Sequence, residues 1–142
     1  MSDARDVVRR VEEAWAANDL SVIDELIAPD LISHDALPGT PPGREGAKAA
    51  HQASISAFPD RRMTIESIVA DGDRVAVLTT MRGTNTGGLP FLGVPANGRS
   101  VEIESMSFYR VENGRVVEHW GLNDAMRLMM QLGATPPAPA TA

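Results

Sequence analysis

The apolar positions change period twice along the chain. Val7, Val8, Val11, Ala14 and Trp15 recur three or four residues apart, with Arg9, Arg10, Glu12 and Glu13 outside the stripe. That spacing predicts an amphipathic helix. Asn18-Asp19 interrupts it, and Ser21, with Asp24 three residues on, reads as the N-cap of a second helix carrying Val22, Ile23, Leu26 and Ile27. Pro29 is expected to end that helix, and Leu31 to His34 reads as a strand or an extended connection. Residues 35–46 hold three prolines and three glycines and read as a loop. A third helix follows, with Ala47, Ala50, His51, Ser54, Ile55 and Phe58 on one face and Pro59 as its stop.

Beyond Pro59 the period becomes two. Residues 64–70 and 74–84 are rich in β-branched side chains and flank Ala70-Asp71-Gly72-Asp73, a hairpin turn signal. Residues 85–99 read as a long loop with room for a small hairpin, and long loops in compact domains are often functional. Residues 100–111 and 116–123 form a second hairpin about Asn113-Gly114, and Asp124 to Leu132 a short helix closed by Gly133. Helices first and antiparallel strands after give the class α+β, with helices on one face of a sheet and a cavity between the layers. We expect one domain over residues 1–133 and a disordered Pro/Ala-rich tail over 134–142.

Composition narrows the partners. Thirteen basic against nineteen acidic residues leave a net charge of −6, a poor surface for nucleic acid. The chain lacks cysteine, which removes disulfides and thiol chemistry. No apolar run is long enough to span a membrane and the first residues carry no signal-peptide pattern, so a cytoplasmic protein is expected. His34, His51 and His119 stand 17 and 68 residues apart with no short-spaced pair, so spacing supports no metal site. A Gly-x-Ser-x-Gly elbow is absent, which argues against a serine hydrolase.

Asp124 is the most informative carboxylate. It follows an apolar strand and opens a helix, so it is either an N-cap or a general base at the strand's mouth, made more basic by desolvation. With a two-residue turn at Asn113-Gly114, Ser105 pairs with Leu122 and Ser107 with Trp120. One sheet face then carries Ser105, Ser107, Tyr109, Trp120 and Asp124, a mixture suited to a pocket wall. His51 is either a buried histidine bonded to a neighbour or a ligand contact. His34 precedes a loop, and Trp15 is either core or the roof of a cavity. The strand over 100–111 has apolar residues on both parities (Val101, Ile103, Met106, Phe108), which predicts that both its faces are covered and hence a homo-oligomer.

Several segments in order resemble the SnoaL-like polyketide cyclases of the nuclear transport factor 2-like superfamily. They are Asn18-Asp19-Leu20 through Pro29-Asp30, His34, Gly43-Arg44-Glu45-Gly46, Ala57-Phe58-Pro59-Asp60, Ala70-Asp71-Gly72-Asp73-Arg74, Gly83-Thr84-Asn85-Thr86-Gly87 and Gly93-Val94-Pro95. The last are Arg110-Val111-Glu112-Asn113-Gly114 through Glu118-His119-Trp120, Asp124 and Gln131-Leu132-Gly133. The resemblance implies a cone-shaped fold in which a curved antiparallel sheet is wrapped by helices around a deep apolar pocket. It implies a cyclase, or a related isomerase or lyase, that acts on a hydrophobic carbonyl compound through an enolate, without cofactor or metal. The aspartate four residues after the Glu-x-Trp motif, here Asp124, would be the acid/base, with His34, His51 or Asn85 orienting the carbonyl. Trp15, Asn85, Ser105, Ser107 and Trp120 would line the pocket, and a dimer or tetramer is expected. Many members carry histidine where this chain has Asn85, and asparagine cannot shuttle a proton. The same fold also hosts hydrolases, dehydratases and non-catalytic binding proteins, which remain the alternatives.

Overall fold

In a computed structural model, residues 3–134 are described. Helix α1 (Ala4–Ala17) starts at Asp3, whose carboxylate accepts the Asp6 amide, and ends where Asn18 turns left-handed at φ 54°. Helix α2 (Leu20–Leu26) is capped by Asp19 rather than Ser21, and it stops before Pro29, which lies inside β1 (Ile27–Ser33). Helix α3 (Gly43–Ala57) begins four residues before the apolar stripe that marks it. Strands β2 (Arg62–Asp71), β3 (Arg74–Thr84), β4 (Ser100–Glu112) and β5 (Arg115–Asn123) follow, and α4 (Ala125–Gln131) closes the chain. No described helix is long and apolar enough to cross a membrane.

The five strands form one curved sheet in the order β1-β5-β4-β3-β2, antiparallel except that β1 runs parallel to β5. Strand β4 alternates cleanly. Val101, Ile103, Tyr109 and Val111 are buried, whereas Glu102, Glu104, Met106 and Phe108 are exposed. Its odd residues therefore face the helices and its even residues face away. Asn113 and Gly114, at φ 52° and 78°, make the tight turn the dipeptide signalled.

The register beyond that turn departs from the expectation. Glu112 pairs with Arg115 and Val111 with Val116, as a two-residue turn requires, but Arg110 then pairs with Glu118. A bulge at Val117 shifts the rest of the strand by one, so Tyr109 faces His119, Phe108 faces Trp120 and Ser107 faces Gly121. Because side chains alternate, this slip moves Trp120 to the outer face and His119 to the inner one.

Two apolar clusters close the ends of the inner face. Val7, Val8, Val11, Ile23 and Leu26 of the first helices pack on Ile68, Val75, Val77, Val111 and Val116 near the hairpin turns. At the other end Met129 and Leu132 pack with Ala57, Phe58, Leu89, Val94 and Val101. Ala134, expected to open a disordered tail, packs against this second cluster; the rest of the tail lies outside the described residues.

Candidate active site

Beside the first cluster, which shares Val75, Val77 and Tyr109 with it, the inner face carries polar side chains in three cross-strand rows. Thr79, Ser105 and Asn123 form the first, with the Ser105 hydroxyl donating to Asn123 Oδ1 at 2.7 Å. Val77, Ser107 and Gly121 form the second. The third runs Val75, Tyr109, His119 and Ser33 across four strands. Above this row α1 presents Glu12, only 5 % exposed, whose carboxylate accepts a hydrogen bond from the Tyr109 hydroxyl. Glu12 was expected outside the apolar stripe. At about 100° per residue it lies about 40° from Val8 and so falls within the buried arc.

The histidine in the third row is held from the side. The backbone N–H of His34 donates to the His119 carbonyl at 2.9 Å, which extends the β1–β5 pairing and carries the next residue, Asp35, over the strand end. Asp35 Oδ1 lies 3.1 Å from His119 Nδ1, and the His119 ring lies 4.8 Å from that of Tyr109. Burial raises the Glu12 carboxyl above its ordinary range, against the Tyr109 hydrogen bond and the charges of His119 and Arg61. Burial, the Glu12 charge and the hydrogen bond to it push Tyr109 well above an ordinary phenol. Tyr109 therefore stays protonated and acts as the donor. For Asp35 burial acts upward, but the hydrogen bond and charge of His119 outweigh it and hold the carboxyl low.

A second group braces the helices. Arg61 donates to the Trp15 carbonyl at 3.0 Å and to the Ser54 hydroxyl at 3.2 Å, and stands 3.3 Å from His51 Nδ1. His51 Nε2 lies 2.9 Å from Asn18 Oδ1, and the Trp15 ring packs on His51 with centroids 4.6 Å apart. A guanidinium can only donate and an amide oxygen can only accept, which fixes His51 as the neutral ring with its proton on Nε2. Burial, with the Arg61 charge, lowers its pKa to about 4. Both ring nitrogens are committed, so His51 ties α1 to α3 and has no nitrogen left to orient a carbonyl, the role expected of it.

The remaining expected residues scatter. Trp120 lies on the outer face, stacked on His34 at 4.5 Å and edge-on to Phe108 at 5.6 Å, and His34 Nε2 lies 2.6 Å from Glu118. Neither can line an inner pocket. Asn85 is fully buried, but its amide donates to the Pro95 carbonyl and to Asn97 Oδ1, and its oxygen accepts from the Gly88 amide. It staples the loop over 85–99, with both amide donors taken and no surface exposed to a ligand. Ser105 and Ser107 do face inward, though not beside Trp120 or Asp124. Asp124 caps α4 by accepting the Arg127 amide at 3.1 Å and stands 3.3 Å from Arg127 Nε. It borders an open depression of about 570 Å³ shared with Met126, Arg127, Met130 and Gln131. The sequence singles out none of His119, Asp35, Glu12 and Arg61 as a site residue, and it is the slipped register and the chain's turn after β1 that bring His119 and Asp35 together.

Residues 5–132 match the sequence profile of the SnoaL-like polyketide cyclases. The aklanonic acid methyl ester cyclases DauD of Streptomyces sp. (strain C5) and DnrD of Streptomyces peucetius are each 28% identical to this chain over 98% of its length. The alignment covers 87% of the first and 97% of the second. The crystal structure of IdmH from Streptomyces antibioticus is 38% identical, with a TM-score of 0.79 over 94% of this chain and 100% of IdmH. TsrD of Streptomyces laurentii superposes with a TM-score of 0.81 at 27% identity, over 92% of this chain and 94% of TsrD.

Proposed function

Since the chain belongs to the SnoaL-like polyketide cyclase family, we propose that it closes a ring in a hydrophobic polyketide ester by intramolecular aldol addition. The observation that carries this reading is the family match along residues 5–132, which spans every element that builds the inner face.

The chemistry needs little from the protein beyond positioned proton transfer. A base removes the proton from the carbon beside a carbonyl, and the enolate carbon attacks a second carbonyl of the same molecule. A carbon–carbon bond forms, the attacked carbonyl opens to an alkoxide, and the alkoxide takes a proton. Nothing is oxidised and no group leaves, so the product is an isomer of the substrate. A helix-covered sheet with hydroxyl, imidazole and carboxyl groups between two apolar ends offers such a substrate both burial and proton transfer. The family resemblance designates Asp124 for the transfer, and Asp124→Asn is the variant that tests that designation.

The experiment incubates the purified protein with aklanonic acid methyl ester, the compound named for two relatives, with no added cofactor. We expect consumption of the ester and a chromatographically distinct product of unchanged mass. Recovery of the ester unchanged but bound would identify a binding protein on the same fold. Neither binding nor conversion would move the substrate to another class.

A further inference from the structure

Resting on that cyclase reading, we propose that His119, oriented by Asp35, is the catalytic acid/base on the inner face, and that Asp35 is its positioning residue. Four observations converge on the pair. The bulge at Val117 places His119 among the inward row of Tyr109 and Ser33, the face on which a covered substrate would lie. Asp35 holds Nδ1 at 3.1 Å, so the ring proton sits on that nitrogen and the Nε2 lone pair is left to act. No described residue hydrogen-bonds to Nε2, in contrast to His51, where both nitrogens are committed.

The neighbouring glycine is cut to fit the pair. A Cβ at Gly121 would stand 2.6 Å from Asp35 Oδ2 and 3.0 Å from His119 Cε1, so any side chain there would push the carboxylate off the ring. Asp124 is placed differently. It lies five residues further along the chain, about 16 Å at the rise of an extended strand, with its carboxylate turned into its own helix. One reacting carbonyl cannot touch both groups, and the inner one is His119.

In the step itself neutral His119 takes the α-proton on Nε2, the enolate closes the ring, and the resulting imidazolium returns that proton to the alkoxide. The ring ends neutral and the proton has moved from carbon to oxygen. Asp35 stabilises the imidazolium between the two transfers. The titratable and charged groups around His119 are Asp35 after β1, Glu12 of α1 with Tyr109 of β4, and beyond Glu12 the charge of Arg61 and the neutral ring of His51.

Two measurements test the pair. The first is an NMR titration of the His119 ring in wild type and Asp35→Asn, which needs no substrate. Removing the opposite charge at hydrogen-bond distance from Nδ1 should separate the two titration curves. The second is the pH profile of kcat/KM on aklanonic acid methyl ester. His119→Gln should lose about 10²- to 10⁴-fold in kcat with KM little changed. Asp35→Asn should lose less and shift the acidic limb of the profile to lower pH. Gly121→Ala, which displaces the carboxylate without removing it, should move both readouts in the same direction. Full turnover by His119→Gln, or identical His119 titration in wild type and Asp35→Asn, overturns the assignment. If the wild type leaves this ester unchanged, the substrate reading falls and the titration alone decides the pair.

Discussion

At the residue scale, buried groups with displaced protonation tie folding to pH. His51 is held neutral at about 4, below the 6.5 of a free ring, so between those values the unfolded chain binds the extra proton and the folded chain does not. Stability from this group is complete above about 6.5 and is lost as pH falls toward 4. Urea unfolding at pH 7 and pH 5 should show the wild type weakening, and His51→Gln should weaken less over the same interval. Glu12 has the opposite sign. Burial raises its folded pKa above 4.5, so the folded chain keeps a proton that the unfolded chain has released, and its contribution is lost as pH rises through the raised value. Glu12→Gln can still accept from Tyr109 and has no charge to desolvate. Its midpoint should match or exceed wild type at neutral pH, with a flatter dependence above pH 5; a large loss at pH 7 would mean that the carboxylate charge itself supports the fold.

At the element scale, the 85–99 loop hangs on one side chain. Replacing Asn85 by alanine leaves the Gly88 amide, the Pro95 carbonyl and the Asn97 oxygen without that partner. At about 1–3 kcal/mol for an unsatisfied buried polar group, the variant should lose about 3 kcal/mol, read as a drop in Tm with activity per folded molecule retained. The contrast with what the chain announces is physical. Periodicity identified α1 to α4 and β2 to β5, because a 3.6- or 2-residue repeat is a local property, whereas β1 reads as either a strand or an extended connection and its first residue, Ile27, as helix. The start of α2 was displaced because Asp19 and Ser21 compete for its cap, and that of α3 because it begins behind Pro42, which gives no side-chain cap to mark it. The β4–β5 register was hidden for a different reason. Val116 and Val117 are both apolar, so the alternation carries no mark of which one bulges. One residue of slip then exchanged Trp120 for His119 on the inner face. Asp35 was illegible too, since nothing local tells that a loop aspartate will meet a histidine 84 residues away.

At the scale of the whole molecule, the outer face of the sheet governs assembly. Helices cover only the inner face, yet the outer one carries Met106 at 55 %, Phe108 at 40 % and Leu122 at 76 % exposure, in register beside Trp120, with Ile32 on the adjoining strand. Soluble monomers rarely leave so contiguous an apolar patch in water. Around it Arg110 pairs with Glu118 and Glu112 at the edge and Arg82 with Glu102 further along, while Glu104, exposed on the same face, has no ion pair among the described residues. A surface that is apolar in the middle and mostly ion-paired at its rim suits a second copy of itself across a two-fold axis, provided Glu104 stays at the solvated edge. It suits a basic or acidic partner poorly. We therefore expect a homodimer that sediments at twice the 15.2 kDa chain mass at micromolar concentration. Phe108→Glu and Leu122→Glu each put two like charges near the axis of such a dimer, so both should shift the species to monomer while far-ultraviolet circular dichroism stays unchanged. A wild-type monomer, or a dimer indifferent to both substitutions, would place the contact elsewhere. The inner row of His119 and Tyr109 faces away from this surface, so a monomeric variant that keeps the fold should keep the titration of His119 as well.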